Sequence, residues 1–283
     1  MHTADNPILS KIFSLDYLAL LTVTGKDSAN FLQGQLTCDI HSLTDNSFSL
    51  AAFCNPKGRV ISTLLVIKVG NDFLLVLPAS IQEIVRLKLQ RYILRSAVKI
   101  DTQATDQQIM GGYSAPQSDG IYACIKLPGS VTRFLWIRSG VKTVGTTDNS
   151  EWYYQDICSG LPWFAATQTE LYTPHMLGID RLNGISFTKG CYTGQEIVAR
   201  THYLGQAKRT VFRAECNEIH PWPQVGDTVI DSLSQQSAGS ILTLAVFANQ
   251  LHLLMVLSIA EAETAQLALN DVNKTPLKLT DIT

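Results

Sequence analysis

The chain has 283 residues, which at roughly 100–200 residues per domain predicts two domains. Its 22 Lys and Arg against 24 Asp and Glu give a formal charge of −2, without the basic excess of a dedicated duplex-DNA binder, and 46% apolar residues exclude wholesale disorder. No apolar run approaches the ~18 residues of a membrane span, and the start Met1-His2-Thr3-Ala4-Asp5 lacks the order of a signal peptide, so a soluble cytoplasmic protein is expected.

Taken in chain order, an apolar strand over Tyr17–Val23 is followed by a short amphipathic helix carrying Ala29, Phe31, Leu32 and Leu36. Strands near Ser47–Phe53, Val60–Val69 and Phe73–Leu77 come next, punctuated by Asn55-Pro56-Lys57-Gly58 and Gly70-Asn71-Asp72. Ser80 and Glu83 have capping-box spacing ahead of Ile81, Ile84, Val85, Leu89, Tyr92 and Ile93, which predicts a helix over about 80–95. Strands near Ile121–Leu127 and Val131–Arg138 and a polar connection over Lys142–Ser150 complete a mixed sheet with helices packed on it, an α+β arrangement. Beyond Leu204-Gly205 the character changes. Short apolar runs at Thr210–Glu215, Thr228–Asp231, Gly239–Ala248 and Leu251–Ile259 predict a small antiparallel barrel. The expected division is therefore 1–205 and 206–283.

The six cysteines, Cys38, Cys54, Cys124, Cys158, Cys191 and Cys216, contain no C-x-x-C pair, so neither a zinc site nor a resident iron–sulfur cluster is signalled. One stretch stands apart, Lys189-Gly190-Cys191-Tyr192-Thr193-Gly194-Gln195-Glu196, running on into Ile197, Val198, Ala199 and Arg200. Thr193 and Glu196 have capping-box spacing, which makes Thr193 the expected N-cap. Cys191 then lies just ahead of a helix N-terminus, with Lys189 two residues away. Both features bias a thiol toward thiolate. The bland alternative is a tight Gly turn, a cap and a buried cysteine, but it leaves Lys-Gly-Cys-Tyr unexplained.

This stretch, with Gly184-Ile185-Ser186-Phe187 before it, resembles the signature of the YgfZ family, folate-binding proteins that support iron–sulfur cluster assembly or repair. They are relatives of the aminomethyltransferase (T-protein) of glycine cleavage. Phe31-Leu32-Gln33-Gly34-Gln35-Leu36-Thr37 with Asp39, the turn Asn55-Pro56-Lys57-Gly58-Arg59, Gly160-Leu161-Pro162, Thr173-Pro174, and Tyr203-Leu204-Gly205 with Lys208-Arg209 match the family in the same order.

The resemblance implies a three-lobed, T-protein-like ring of α+β lobes with a central folate channel and a C-terminal antiparallel β-barrel, and tetrahydrofolate or a derivative as cofactor. It carries Lys189, Cys191, Tyr192 and Gln195 over directly, with Cys191 as the reactive residue. A folate-lining tryptophan falls at Trp152. The family's other folate tryptophan falls at Leu18, beside Tyr17 on the opposite strand face. The acidic folate contact falls at Cys158, with Asp156 two residues back and, on a strand, on the same face. The acidic pair of the aminomethyltransferases is replaced by Ser62 and Thr63, so no glycine-cleavage activity is expected.

Implied partners are folate and iron–sulfur cluster proteins such as radical tRNA-modifying enzymes, through which tRNA modification is affected indirectly. The competing readings are a folate-dependent one-carbon transferase or demethylase, and direct tRNA binding through Arg200, His202, Lys208 and Arg209. The low overall charge disfavours direct nucleic-acid binding, and no membrane partner or metal is expected.

Overall fold

The computed structural model describes residues 11–283 apart from 103, 105, 118, 141–144, 206 and 218–219. The Met1–Asp5 start and the first part of the connection expected over Lys142–Ser150 lie outside the described residues.

Strands β1 (Ile12–Ser14) and β2 (Leu18–Thr24) lead into helix α1 (Ser28–Gln33). Strands β3 (Phe48–Cys54), β4 (Val60–Val69) and β5 (Asp72–Pro78) follow, then helix α2 (Gln82–Gln90). Next come β6 (Lys99–Thr102), β7 (Gln107–Gly112), β8 (Ile121–Leu127) and β9 (Arg133–Ser139). Helices α3 (Ser150–Cys158) and α4 (Gln195–Leu204) flank a long irregular stretch. The chain ends in β10 (Arg209–Asn217), β11 (Thr228–Asp231), β12 (Ser237–Phe247), β13 (Gln250–Ser258), α5 (Ile259–Thr264), β14 (Leu267–Leu269) and β15 (Lys278–Thr280).

Three sheets form among the described residues, ordered β1-β7-β9-β8, β3-β4-β5-β2-β6 and β14-β11-β12-β13-β10-β15. The mixed sheet expected from the sequence is corrected here: every strand ladder is antiparallel. The apolar runs of β2, β4 and β5 do not alternate with polar residues because both faces of that sheet are covered. Helix α2 lies against β2 and buries Val85 and Leu89, one turn apart. In the third sheet, Leu269 N and Leu277 N bond Thr275 O and Leu267 O, so the residues just before β15 pair back onto β14.

Two helix expectations change. Ser80 and Glu83 do not form a capping box: residues Ala79–Ile81 make a 3-10 turn, and Glu83 pairs with Arg86 one turn on, at 2.6 and 2.7 Å. The helix also stops at Gln90 rather than near 95, as Tyr92 N and Ile93 N bond three residues back in tightened turns. The larger change is α3. Asp156 and Cys158, expected on one face of a strand, sit on a helix, where a two-residue step turns about 200°. Asp156 faces the first sheet, while Cys158 O accepts from the N–H of Thr283.

Candidate functional site

Three motifs far apart in sequence meet at the Lys-Gly-Cys-Tyr loop. Thr37 Oγ1 donates to Gly184 O at 2.7 Å, Ser186 N to Thr37 O at 2.9 Å, and Thr193 N to Gly34 O at 3.2 Å. Lys189 is only 8% exposed, and its Nζ donates to Leu36 O (2.7 Å) and Cys38 O (2.6 Å) and lies 5.0 Å from the Tyr192 ring centroid. Burial lowers its pKa to about 8, against the opposing pull of Cys38 and Asp39. The Lys189 ammonium is therefore spent on the backbone of the first motif rather than on Cys191. Cys191 is the exposed one of the six thiols. Tyr192 is buried with its hydroxyl unpartnered, and burial raises that hydroxyl's pKa.

Thr193 is not the N-cap. Its hydroxyl donates to Gln35 Oε1 at 3.4 Å, and α4, opened by Gln195, is preceded by Gly194 at φ +84°, which uses no side-chain cap. A Cβ at Gly194 would stand 2.6 Å from Asn55 O and 3.0 Å from Gly58 Cα, so the Lys-Gly turn and the loop are seated glycine on glycine. Gly194→Ala therefore combines left-handed strain with a backbone clash, and is expected to cost at least about 1–3 kcal/mol. Thermal melting checks this, and an unchanged midpoint would show that the two loops part easily.

The second feature is a cavity of about 200 Å³ between α3 and the third sheet. Tyr17, Ser80, Tyr153, Asp156, Trp163 and Phe164 line it, and Leu242 and Thr243 complete it from β12. Asp156, 3% exposed, stands at its wall. Its Oδ2 accepts from Tyr17 Oη at 2.8 Å and its Oδ1 from Arg133 Nη1 at 2.7 Å, and the Trp163 indole also donates to it. Burial raises the Asp156 pKa, and Arg133, Tyr17 and Trp163 oppose that rise. Tyr17 and Tyr153 rings lie 4.5 Å apart, and burial followed by the Asp156 charge pushes the Tyr153 pKa up to about 12. An aromatic wall beside a carboxylate suits a planar ligand with hydrogen-bond donors.

Of the residues singled out from sequence for a cofactor, Tyr17 and Asp156 come together here. Trp152 does not: it is 1% exposed, 5.3 Å from the Phe13 ring and under the Arg133 guanidinium at 4.7 Å. A Cβ on Gly111 would touch it at 2.5 Å, so it is a core residue with no free face. Leu18 is buried opposite Pro78 in the second sheet, and Cys158, buried at the end of α3, does not line the cavity. Cys191, Tyr192, Lys189 and Gln195 lie outside its lining.

Ser62 Oγ bonds Thr63 O and Thr63 Oγ1 bonds Pro162 O, both fully buried, so the two hydroxyls at the acidic-pair positions are occupied by the backbone. Among the described residues, no group of three or more His, Cys, Asp or Glu side chains is arranged for a metal ion, and no helix is long and apolar enough to cross a membrane.

Sequence reasoning missed Arg133, Tyr153 and Trp163. A signal for Arg133 was present. It alternates with Leu135 and Ile137 on one strand face, so an inward-facing strand begins with an arginine.

The fold is that of an aminomethyltransferase. The structure matches the glycine cleavage system aminomethyltransferase T from Bartonella henselae with a TM-score of 0.73 at 12% identity, over 96% of this chain and 84% of that one. The model of the GCVT N-terminal domain family matches residues 10–139. Within that fold the relatives are more specific. The tRNA-modifying protein YgfZ of Shigella boydii is 31% identical over 74% of this chain and 73% of its own length, and that of Pectobacterium atrosepticum 27% over 98% and 95%. The chain belongs to the YgfZ family.

Proposed function

We propose that this chain is a cytoplasmic, folate-binding accessory protein for iron–sulfur cluster assembly or repair, and that it affects tRNA modification through cluster enzymes such as radical tRNA-modifying enzymes. Support comes from relatives named as tRNA-modifying proteins and from an aminomethyltransferase fold. The observation that carries the reading is the Asp156 carboxylate set in an aromatic wall.

The residues present fit a reduced folate. Tyr17, Tyr153 and Trp163 would hold its flat ring, and Asp156 would accept its N–H groups. At about 200 Å³ the cavity takes the ring end alone, since pockets for whole drug-sized ligands run to about 300–1,000 Å³. When bound, tetrahydrofolate supplies a carrier for one-carbon units. In this reading the domain boundary lies near residue 205, and the C-terminal sheet is the barrel that closes a three-lobed ring around the folate channel.

Cys191 is the reactive thiol, presented to solvent on its loop for a transient sulfur, iron or disulfide linkage to a client. One cysteine does not supply the four ligands of a stable cluster. Cys191→Ser is expected to melt with the wild type and to bind folate equally, yet to fail in restoring cluster-enzyme activity to a deletion strain. Full restoration would remove Cys191 from the mechanism.

The fold also favours a second reading, a one-carbon transferase of the aminomethyltransferase type. Buried hydroxyls in place of the acidic pair weigh against it, and a steady-state product from a methylamine donor would establish it. The deciding experiment for the main reading is anaerobic calorimetry with tetrahydrofolate. One-to-one binding in the micromolar range, lost in Asp156→Asn, is expected; no binding at high micromolar ligand overturns it.

A further inference from the structure

Arg133 opens β9 on the face it shares with Leu135 and Ile137, and none of it is exposed. A guanidinium in such surroundings is costly unless every contact is built for it. Its contacts fall on residues 152, 155, 156 and 159 of α3 and the residue just after, the i, i+3, i+4, i+7 stripe of one helix face. Nη1 reaches Asp156 Oδ1 (2.7 Å) and Trp152 O (3.4 Å), and Nη2 reaches Gln155 O (3.2 Å) and Ser159 Oγ (3.3 Å). The Trp152 ring lies against its face. Two helix carbonyls, a hydroxyl and an indole thus fix the guanidinium independently of the carboxylate.

We propose that Arg133 is the positioning residue of the cavity: it holds Asp156 ionised and turned so that its second oxygen serves the Tyr17 side. This inference rests on the reading of the cavity as a ligand site. An ionised carboxylate only accepts hydrogen bonds, whereas a protonated one also donates, so Arg133 selects for ligands that present donors at this point. The other groups facing Asp156 do not replace it. Tyr17 and Trp163 are neutral donors, and Tyr153 from α3 and Tyr113 from beyond β7 are tyrosines whose pKa values burial raises, with the Asp156 charge adding to the rise. Tyr113 is itself bonded to Glu151, which pairs with Lys11. Burial alone would push the carboxyl toward its neutral form, and Arg133 is the cation that opposes it.

The test uses full-length Arg133→Met and Arg133→Lys, with two readouts between pH 5.5 and 8.5. The first is the carboxyl ¹³C resonance of Asp156, assigned by its loss in Asp156→Asn. The second is tetrahydrofolate affinity by anaerobic calorimetry. In Arg133→Met the resonance is expected to titrate roughly one pH unit or more above wild type. Folate affinity should then rise with pH in this variant, about tenfold for each unit over which the carboxyl ionises, more steeply than in wild type. Arg133→Lys, which keeps the cation, is expected to restore most of the wild-type titration, and Arg133→Gln, which removes the charge but keeps hydrogen-bond donors, takes the place of the Met variant if that one does not fold. An Asp156 titration unchanged in a folded variant that lacks the cation, or an affinity loss equal at all pH values, overturns the inference. Should wild type bind no folate, the folate reading fails and the resonance alone decides the role of Arg133.

Discussion

Asp156→Ala is expected to lower the stability of the chain by roughly 3–5 kcal/mol, because it leaves the guanidinium of Arg133 buried without its anion. At about 2–4 °C per kcal/mol for a chain of this size, the melting midpoint should fall by roughly 10 °C. The cause is the stranded charge rather than the lost carboxylate. The double variant Asp156→Leu with Arg133→Met removes both charges and is expected to melt well above Asp156→Ala, though it too should lose folate. A single variant that melts with the wild type would mean that water reaches Arg133 and that the pair is not sealed.

Trp152→Ala is expected to have an effect of similar size for a different reason. The ring fills the space between Gly111, Phe13 and Arg133, and removing it opens a cavity that rigid strands cannot close, at about 3–5 kcal/mol. Trp152→Phe refills part of that space and should restore part of the midpoint while leaving folate affinity unchanged. The opposite pattern, an unchanged midpoint with weakened folate binding, would put the ring in the path of the ligand and contradict its place in the core.

How far the sequence carried is clearest at particular elements. Val60–Val69 and Ile121–Leu127 agree residue for residue with β4 and β8, since each is an apolar run marked off by glycine or a polar turn. Helix α3 did not emerge. Trp152-Tyr153-Tyr154 are indifferent helix formers, and the stretch is held helical by partners supplied from β9 and the C-terminal sheet. Tyr154 stacks on Phe247 at 4.9 Å and meets the His252 ring, tilted, at 4.5 Å, contacts that no local pattern announces. The site divides in the same way. Asp156 and Tyr17 could be named from motif order, but their union at 2.8 Å and the buried arginine behind them depend on a helix the sequence hides. Lys189 shows the converse: its motif was plain, while its use as a tether to Leu36 O and Cys38 O was not.

That tether spans 151 positions between Lys189 and Cys38. Translation proceeds at roughly 5–20 residues per second, so the carbonyls of the first motif wait about 8–30 s for the lysine that satisfies them. For most of that interval the nascent chain also carries Asn55 and Gly58 without Gly194, the glycine that seats against them. The thiol loop thus takes its shape only after the first motif and the Lys-Gly turn have been made, with the strands of the third sheet still to follow. A newly made molecule can seat Cys191 beside the first motif only after every strand of the second sheet has been synthesised.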